Sequence, residues 1–210
     1  MDLVSARRNM VDSQVRTSDV TNTAIHDAML AVPRERLCAP GWSFAAYADA
    51  KAPIAAGRSL TPAREVGKLL QALAPRPGER ALCVAAPYAA AVLAHIGLDV
   101  VAQEADESVA AVIRPVLSEA GVTVQVAPLD QPVGGDWDIL VSEGGVIEAP
   151  EAWVQALKSG GRMVVIERQG PVGVARLMVR TGGGATSRLE LFDAAPDMLA
   201  GLDKRPTFQF

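Results

Sequence analysis

The sequence predicts an α/β fold with a mostly parallel sheet, an N-terminal helical extension and a C-terminal antiparallel hairpin. From residue 80 onward, apolar strand patterns alternate with helix patterns, as in sheets that helices cover on both faces. Before residue 76, apolar residues recur at helical spacing. Near the C-terminus, two strand patterns flank Gly182-Gly183-Gly184, which is typical of a hairpin turn.

Length and composition indicate one folded domain. The chain has 210 residues, of which 50% are hydrophobic and 21% are charged. We expect a helical and loop-rich extension over 1–75, a core over 76–192 and a tail over 193–210. The formal net charge of −4 argues against a nucleic-acid interface, since such surfaces usually carry a basic stripe.

Several other classes of protein are not expected. Cys38 and Cys83 have no metal-like spacing, and His26 and His95 lie far apart, so we predict no metal site. The sequence contains no run of about 18 apolar residues, so no membrane span is expected. The N-terminus lacks the basic and apolar pattern of a signal peptide. We therefore expect a cytoplasmic protein.

The N-terminal extension contains two predicted helices. Thr23 is expected to cap a helix over 24–30 that ends before Pro33. Thr61 and Pro62 are expected to open a second helix, as N-cap and first helical residue. Between them, residues 38–58 are predicted to be loop-rich and ordered. We expect the aromatic residues of this segment to pack in the core, with a contact surface or a lid as alternatives; they are Trp42, Phe44 and Tyr47.

The alternating region predicts the remaining elements in order. Strands are expected over 80–85, 99–103, 122–127, 137–141 and 162–167, and helices over 88–96, 107–120 and 150–157. Gly160-Gly161 is predicted to end the last helix. The hairpin strands are expected over 174–180 and 185–192. We expect the terminal aromatic residues Phe208 and Phe210 to pack back on the core.

A ligand crevice is expected at the loop over 85–88. In an open parallel sheet, ligands bind beyond the carboxyl ends of the strands, where the strand order reverses. A cofactor loop at this point normally contains glycine, because side chains hold the ligand off the backbone. Here the loop contains Ala85, Ala86 and Pro87 instead. Glu104 follows the second strand, where an acid can accept both ribose hydroxyls of an adenosine; a solvated acid is the alternative.

The chain resembles the protein-L-isoaspartate O-methyltransferase family of S-adenosylmethionine-dependent enzymes. The matching stretches are 10–16, 32–37, 88–93, 100–104, 137–141 and 157–165, and the first two are fairly specific to this family. The resemblance implies a Rossmann-like methyltransferase fold with a seven-stranded sheet. It also implies methyl transfer to the free carboxylate of isoaspartyl residues in damaged proteins.

Site residues carried over from the family fall in four places. The resemblance puts Ala85, Ala86 and Tyr88 in the cofactor loop, and Glu104 at the ribose. It puts Asp130 near the position of a second cofactor-binding acid. Ser59 and Thr61 align with the segment that closes over the substrate carboxylate, with Thr61 in place of the substrate-facing serine.

The same positions depart from the family pattern. The loop has Cys83 where the family has an acid and Ala85 at the first glycine, and it is two residues shorter. Pro128 stands where the second acid is expected, and Asp130 is offset from it by two positions. The hydroxyl of Thr61 has a competing role as a helix cap.

These departures leave two main hypotheses. The first is a pseudoenzyme whose S-adenosylmethionine site has degraded, with weak or no methyl transfer and a binding or regulatory role with a protein or peptide partner. Such a protein would need no cofactor. The second is an active S-adenosylmethionine-dependent carboxyl methyltransferase acting on isoaspartyl residues. A different small adenosine ligand in the same crevice is a minor third option.

Overall fold

Helices and one small hairpin form the N-terminal third of the chain, in a computed structural model that describes residues 2–203. The elements are α1 (Leu3–Met10), α2 (Thr23–Ala31), β1 (Ala52–Ala55), β2 (Arg58–Leu60) and α3 (Ala63–Leu73). The predicted helical extension is therefore confirmed. Asn22, not Thr23, caps α2, because its side-chain oxygen accepts the backbone N–H groups of Ala24 and Ile25.

The β1–β2 hairpin lies in the segment that was predicted as loop. Its two central turn residues, Ala56 and Gly57, have φ values of 48° and 73°. Two consecutive residues in the left-handed region are the geometry of a tight hairpin turn. The sequence pattern did not predict it, because alanine rarely adopts positive φ.

Seven strands form the central sheet in the order β5-β4-β3-β6-β7-β8-β9. They are β3 (Arg80–Val84), β4 (Asp99–Glu104), β5 (Thr123–Val126), β6 (Trp137–Val146), β7 (Leu157–Glu167), β8 (Gly173–Arg180) and β9 (Thr186–Ala194). Strands β3 to β7 pair in parallel, whereas β8 and β9 pair antiparallel. The predicted α/β fold and its C-terminal hairpin are thus confirmed.

Helices cover both faces of the sheet. They are α3 together with α4 (Pro87–Ile96), α5 (Glu107–Glu119) and α6 (Glu151–Ala156). Along β3, Ala81 and Cys83 join the core formed with the N-terminal helices, α4 and α5. Leu82 joins a second core with Trp153 of α6 on the opposite face. Burial on both faces explains why the parallel strands read as continuous apolar runs.

The connection from α6 to β7 differs from the prediction. The helix ends at Ala156, and Leu157 already pairs with Trp137 of β6. Gly160-Gly161 therefore lies within β7 and does not end the helix. A Cβ on Gly161 would lie 2.7 Å from the Trp137 carbonyl oxygen and 2.9 Å from that of Lys158, so close backbone approach explains this glycine.

Three further observations concern the end of β6, the C-terminal residues and the length of the helices. Strand β6 runs to Val146, beyond the predicted end at residue 141. The terminal aromatic residues Phe208 and Phe210 lie outside the described residues, so their predicted packing is untested. Within residues 2–203, every helix is too short or too polar to cross a membrane.

We predict that Gly161→Ala destabilises the protein by about 1–3 kcal/mol, since the added methyl group meets backbone carbonyls that cannot rotate away. Urea unfolding measures the change. Gly135→Ala is the matched control, because a Cβ at Gly135 meets no atom within 4 Å. Equal stability of the two variants would contradict the close-approach explanation.

Candidate functional site

Three strand ends meet at the carboxyl edge of the sheet. Val84 of β3 pairs with Gln103 of β4 on one side and with Ser142 of β6 on the other. The residues that follow these positions, Ala85, Glu104 and Glu143, are therefore neighbours. This is the point where the strand order reverses, which is where ligands bind in open α/β sheets.

The loop after β3 is buried. Ala85 adopts a left-handed conformation with φ of 51°, and its N–H donates to the carbonyl of Gln103 over 2.8 Å. The side chain of Ala85 belongs to the α6-side core, whereas Ala86 belongs to the opposite core. The two alanine methyl groups thus pack into the protein interior on the two faces of the sheet.

A carboxylate from β6 occupies the start of α4. Pro87 is the first residue of this helix and has no N–H, while Ala89 donates its N–H to Oε1 of Glu143 over 2.7 Å. Oε2 of Glu143 is buried and has no hydrogen-bond partner within residues 2–203. Burial raises the pKa of Glu143, although the Ala89 N–H and two nearby guanidinium groups, Arg34 and Arg58, oppose this.

Sequence reasoning missed Glu143. The residue follows the strand that was predicted to end at residue 141 and precedes Gly144-Gly145. The available signal was a lone acidic residue at the end of an apolar strand in the alternating region. Such an acid lies at the carboxyl edge of the sheet whenever the strand is parallel.

Arg58 covers Glu104. Its Nη2 atom donates to the carbonyl oxygen of Ala85 over 2.6 Å and lies 3.5 Å from Oε1 of Glu104. Glu104 is 2% exposed, so the alternative of a solvated acid is wrong. Burial raises the pKa of Glu104, and the adjacent Arg58 partly opposes the shift. Sequence reasoning also missed Arg58, because it lies on the unpredicted hairpin.

The hydroxyl of Thr61 bonds to the central sheet and does not cap a helix. It donates to the carbonyl oxygen of Glu143 over 2.5 Å, and α3 begins at Ala63 with Pro62 before it. The predicted N-cap at Thr61 is therefore wrong, since the hydroxyl is committed to β6. The carbonyl of Thr61 in turn accepts from Nη2 of Arg34 over 2.6 Å.

Arg34 and Tyr88 complete a buried polar group around the start of α4. The guanidinium of Arg34 lies 4.4 Å from the ring centroid of Tyr88, and both side chains are fully buried. Nη1 of Arg34 and the hydroxyl of Tyr88 have no hydrogen-bond partner within residues 2–203. The structure thus gathers Ala85, Ala86, Tyr88, Glu104 and Thr61 at one place.

The other two predicted site residues lie apart from this place. Ser59 lies on β2, opposite Pro53. Asp130 is exposed and lines a groove with Glu148 and Glu151 on the α6 side. That groove does not include Glu104. The proposed roles of Ser59 and Asp130 stay predictions.

The aromatic segment is divided between the core and the surface. Tyr47 is buried, and its hydroxyl bonds to Glu35 and accepts from Arg7. Trp42 and Phe44 are 45% and 57% exposed and stack with their ring centroids 5.5 Å apart. The expected core packing is confirmed for Tyr47 and wrong for the other two.

The site is rich in charge, and several of its buried polar atoms have no hydrogen-bond partner within residues 2–203. Two carboxylates, Glu104 and Glu143, face two guanidinium groups, Arg34 and Arg58, in a buried setting. Among residues 2–203, no group of three or more histidine, cysteine, aspartate or glutamate residues could hold a metal ion. The carboxylates and guanidinium groups of the site can supply hydrogen bonds and charge recognition.

Comparison of the sequence with known proteins points to one family. The family model for protein-L-isoaspartate(D-aspartate) O-methyltransferase matches residues 5–179. A relative from Methylorubrum extorquens, named protein-L-isoaspartate O-methyltransferase, is 37% identical over 202 residues, which cover 93% of this chain and 87% of the relative. A relative of the same name from Koribacter versatilis is 29% identical and covers 89% of this chain and 87% of its own.

Solved structures share the fold. A protein-L-isoaspartate O-methyltransferase structure superposes with a TM-score of 0.81 at 19% identity, covering 94% of this chain and 67% of its own. A Plasmodium falciparum structure described as a putative enzyme of that name, in complex with S-adenosyl-L-homocysteine, gives a TM-score of 0.75 at 17% identity and covers 95% and 98% of the two chains. These likenesses concern the fold.

We predict that Glu143 makes stability pH-dependent. Its folded-state pKa is raised, so its favourable contribution is present below the unfolded pKa, near 4.5, and is lost as pH rises through the folded value. The unfolding free energy of the wild type, relative to Glu143→Gln, should therefore fall as the pH rises above about 4.5. Urea unfolding at several pH values measures this difference.

Ser142→Ala is the control for this prediction, because it alters a buried neutral group at the adjacent position. Its difference from the wild type should stay constant with pH. A constant difference for Glu143→Gln as well would show that the carboxyl group does not titrate over the pH values measured.

Proposed function

Since this chain belongs to the protein-L-isoaspartate O-methyltransferase family, we propose that it keeps the family's fold while its own side chains close the S-adenosylmethionine crevice. Methyl transfer is then weak or absent, and the domain acts by binding a protein or peptide. The cytoplasm is the location we expect for this role.

The observation that carries this proposal is the start of α4. A cofactor with a charged amino-acid group is recognised by backbone N–H groups at such a helix end. Here Pro87 has no N–H, and the N–H of Ala89 is already bonded to Glu143. A ligand carboxylate would meet the Glu143 carboxyl group at the position where it needs a donor.

The loop supports the same conclusion. A glycine loop has a mobile backbone that adapts to a cofactor, whereas the methyl groups of Ala85 and Ala86 anchor this loop in the two cores. The residues present therefore fit S-adenosylmethionine poorly. Each lost hydrogen bond is worth roughly 0.5–3 kcal/mol, so several together lower the affinity by orders of magnitude.

A binding role has its own support on the surface. The exposed, stacked pair of Trp42 and Phe44 presents aromatic area of the kind that protein interfaces favour. Tyr47 anchors the same segment in the interior. A segment anchored by a buried tyrosine and carrying an exposed aromatic pair suits contact with a protein or peptide.

An active carboxyl methyltransferase acting on isoaspartyl residues is the second candidate. Identity of 37% over 202 residues to a relative of that name favours it, as does the burial of Glu104, the residue that the sequence predicts at the ribose. A carboxylate acceptor is already nucleophilic, so the protein would need to contribute positioning and exclusion of water without a strong base.

We predict that S-adenosylhomocysteine binds the wild-type protein with a Kd weaker than about 1 mM in calorimetry. The Methylorubrum extorquens relative, titrated in parallel, serves as the reference for an intact family sequence. Micromolar binding by this chain would refute the closed-crevice proposal. Methylation of an isoaspartyl peptide would then establish the second candidate.

Ala85→Gly tests whether the methyl group of Ala85 alone prevents cofactor binding. We expect no gain in S-adenosylhomocysteine affinity, because the loop stays short and Glu143 keeps the N–H of Ala89. Circular dichroism of the variant checks that it is folded. Tight binding by this variant alone would mean that one methyl group, and not the architecture of the crevice, blocks the ligand.

A further inference from the structure

Arg58 reaches the crevice from outside the main sheet. It is the first residue of β2, directly after the Ala56-Gly57 turn, and the β1–β2 hairpin forms a separate two-stranded sheet. The side chain is 12% exposed, so it points inward from this hairpin. One short arm of the chain therefore supplies a single buried cation to the site.

The guanidinium makes few bonds for its degree of burial. Nη2 donates to the carbonyl of Ala85 and lies at the long limit of bonding to Glu104, while Nε is buried without a partner within residues 2–203. A guanidinium has five N–H donors, and leaving a buried donor unpaired is costly. The described contacts of Arg58 thus leave part of its hydrogen-bonding capacity unused.

Glu104 is the residue that Arg58 covers. A carboxylate after the second strand of such a sheet can accept the two ribose hydroxyls of an adenosine. Nη2 of Arg58 lies 3.5 Å from Oε1 of that carboxylate, on the side from which a ribose hydroxyl would have to approach this oxygen. An adenosine and the Arg58 side chain therefore compete for one binding partner.

We propose that Arg58 is the residue that decides whether this crevice accepts an adenosine-containing ligand. In the closed form, its guanidinium occupies the place of the ribose hydroxyls beside Glu104. It also donates a hydrogen bond to the carbonyl oxygen of Ala85. This inference rests on the proposed function, in which the crevice is closed by the chain itself. It adds that the ribose half of the crevice is intact beneath Arg58.

Arg58→Ala tests the proposal, with adenosine as the probe in calorimetry. Adenosine has the ribose hydroxyls that would bind Glu104. It lacks the amino-acid group of the cofactor, which would have to bind at the start of α4. We expect the variant to bind adenosine at least tenfold more tightly than the wild type. The gain should be absent with 2′-deoxyadenosine, which lacks one of the two hydroxyls, and absent in Arg58→Ala/Glu104→Ala.

Arg64→Ala is the matched control, because Arg64 is a nearby arginine whose partners, Asp49 and Glu65, lie outside the crevice. It should bind adenosine as the wild type does. Arg58→Met keeps the apolar stem and removes the charge, so it provides a second test if Arg58→Ala folds poorly. A folded variant with no gain in adenosine affinity would overturn the proposal, since Arg58 would then be a structural clamp only.

The two proposals fail in different ways. Micromolar binding of S-adenosylhomocysteine by the wild type would refute the closed crevice, whatever the Arg58 variants do. Weak wild-type binding together with no gain in Arg58→Ala would leave the closed crevice standing and refute the role of Arg58. Weaker adenosine binding by Arg58→Ala than by the wild type would make Arg58 a ligand contact, which also contradicts its role as an occupant.

Discussion

The hydrogen bond from the Ala89 N–H to Glu143 is the interaction around which the site is organised. A helix start attracts negative charge, and here the anion comes from the neighbouring strand. The carbonyl of the same glutamate accepts the hydroxyl of Thr61, and the carbonyl of Thr61 accepts from Arg34. These hydrogen bonds link α4 to β6, β6 to Thr61 before α3, and Thr61 to Arg34.

This arrangement buries charge at a cost. Ionised groups inside a protein lose their hydration, and direct contacts recover only part of that free energy. Nη1 of Arg34, the Tyr88 hydroxyl and Oε2 of Glu143 have no partners within residues 2–203. A sequence selected only for stability would favour apolar side chains at such positions. Unsatisfied polar groups gathered at a strand-end crevice are the kind of local conflict that accompanies functional sites.

The sequence predicted the sheet far better than the site. Strands such as β3 were predictable because burial on both faces demands an apolar run, and that demand is local. Thr61 shows the limit of local reasoning. Its sequence neighbours predict a helix cap, yet its hydroxyl bonds to the carbonyl of Glu143 on a distant strand. The contact of Arg58 with Ala85 likewise joins distant parts of the chain, so local spacing did not predict it, whereas Glu143 could have been found as an acid at the end of a parallel strand.

The loop after β3 combines a backbone conformation that suits glycine with buried alanine side chains. Ala85 keeps a left-handed backbone that suits glycine, at a cost of roughly 1–2 kcal/mol for a residue with a Cβ. Packing of its methyl group in the α6-side core offsets part of that cost. The backbone at Ala85 therefore has a conformation that suits glycine, while the side chain packs in the interior. A complete S-adenosylmethionine molecule, unlike adenosine, would meet the occupied start of α4 as well as Arg58, so family membership and activity are separate questions for this chain.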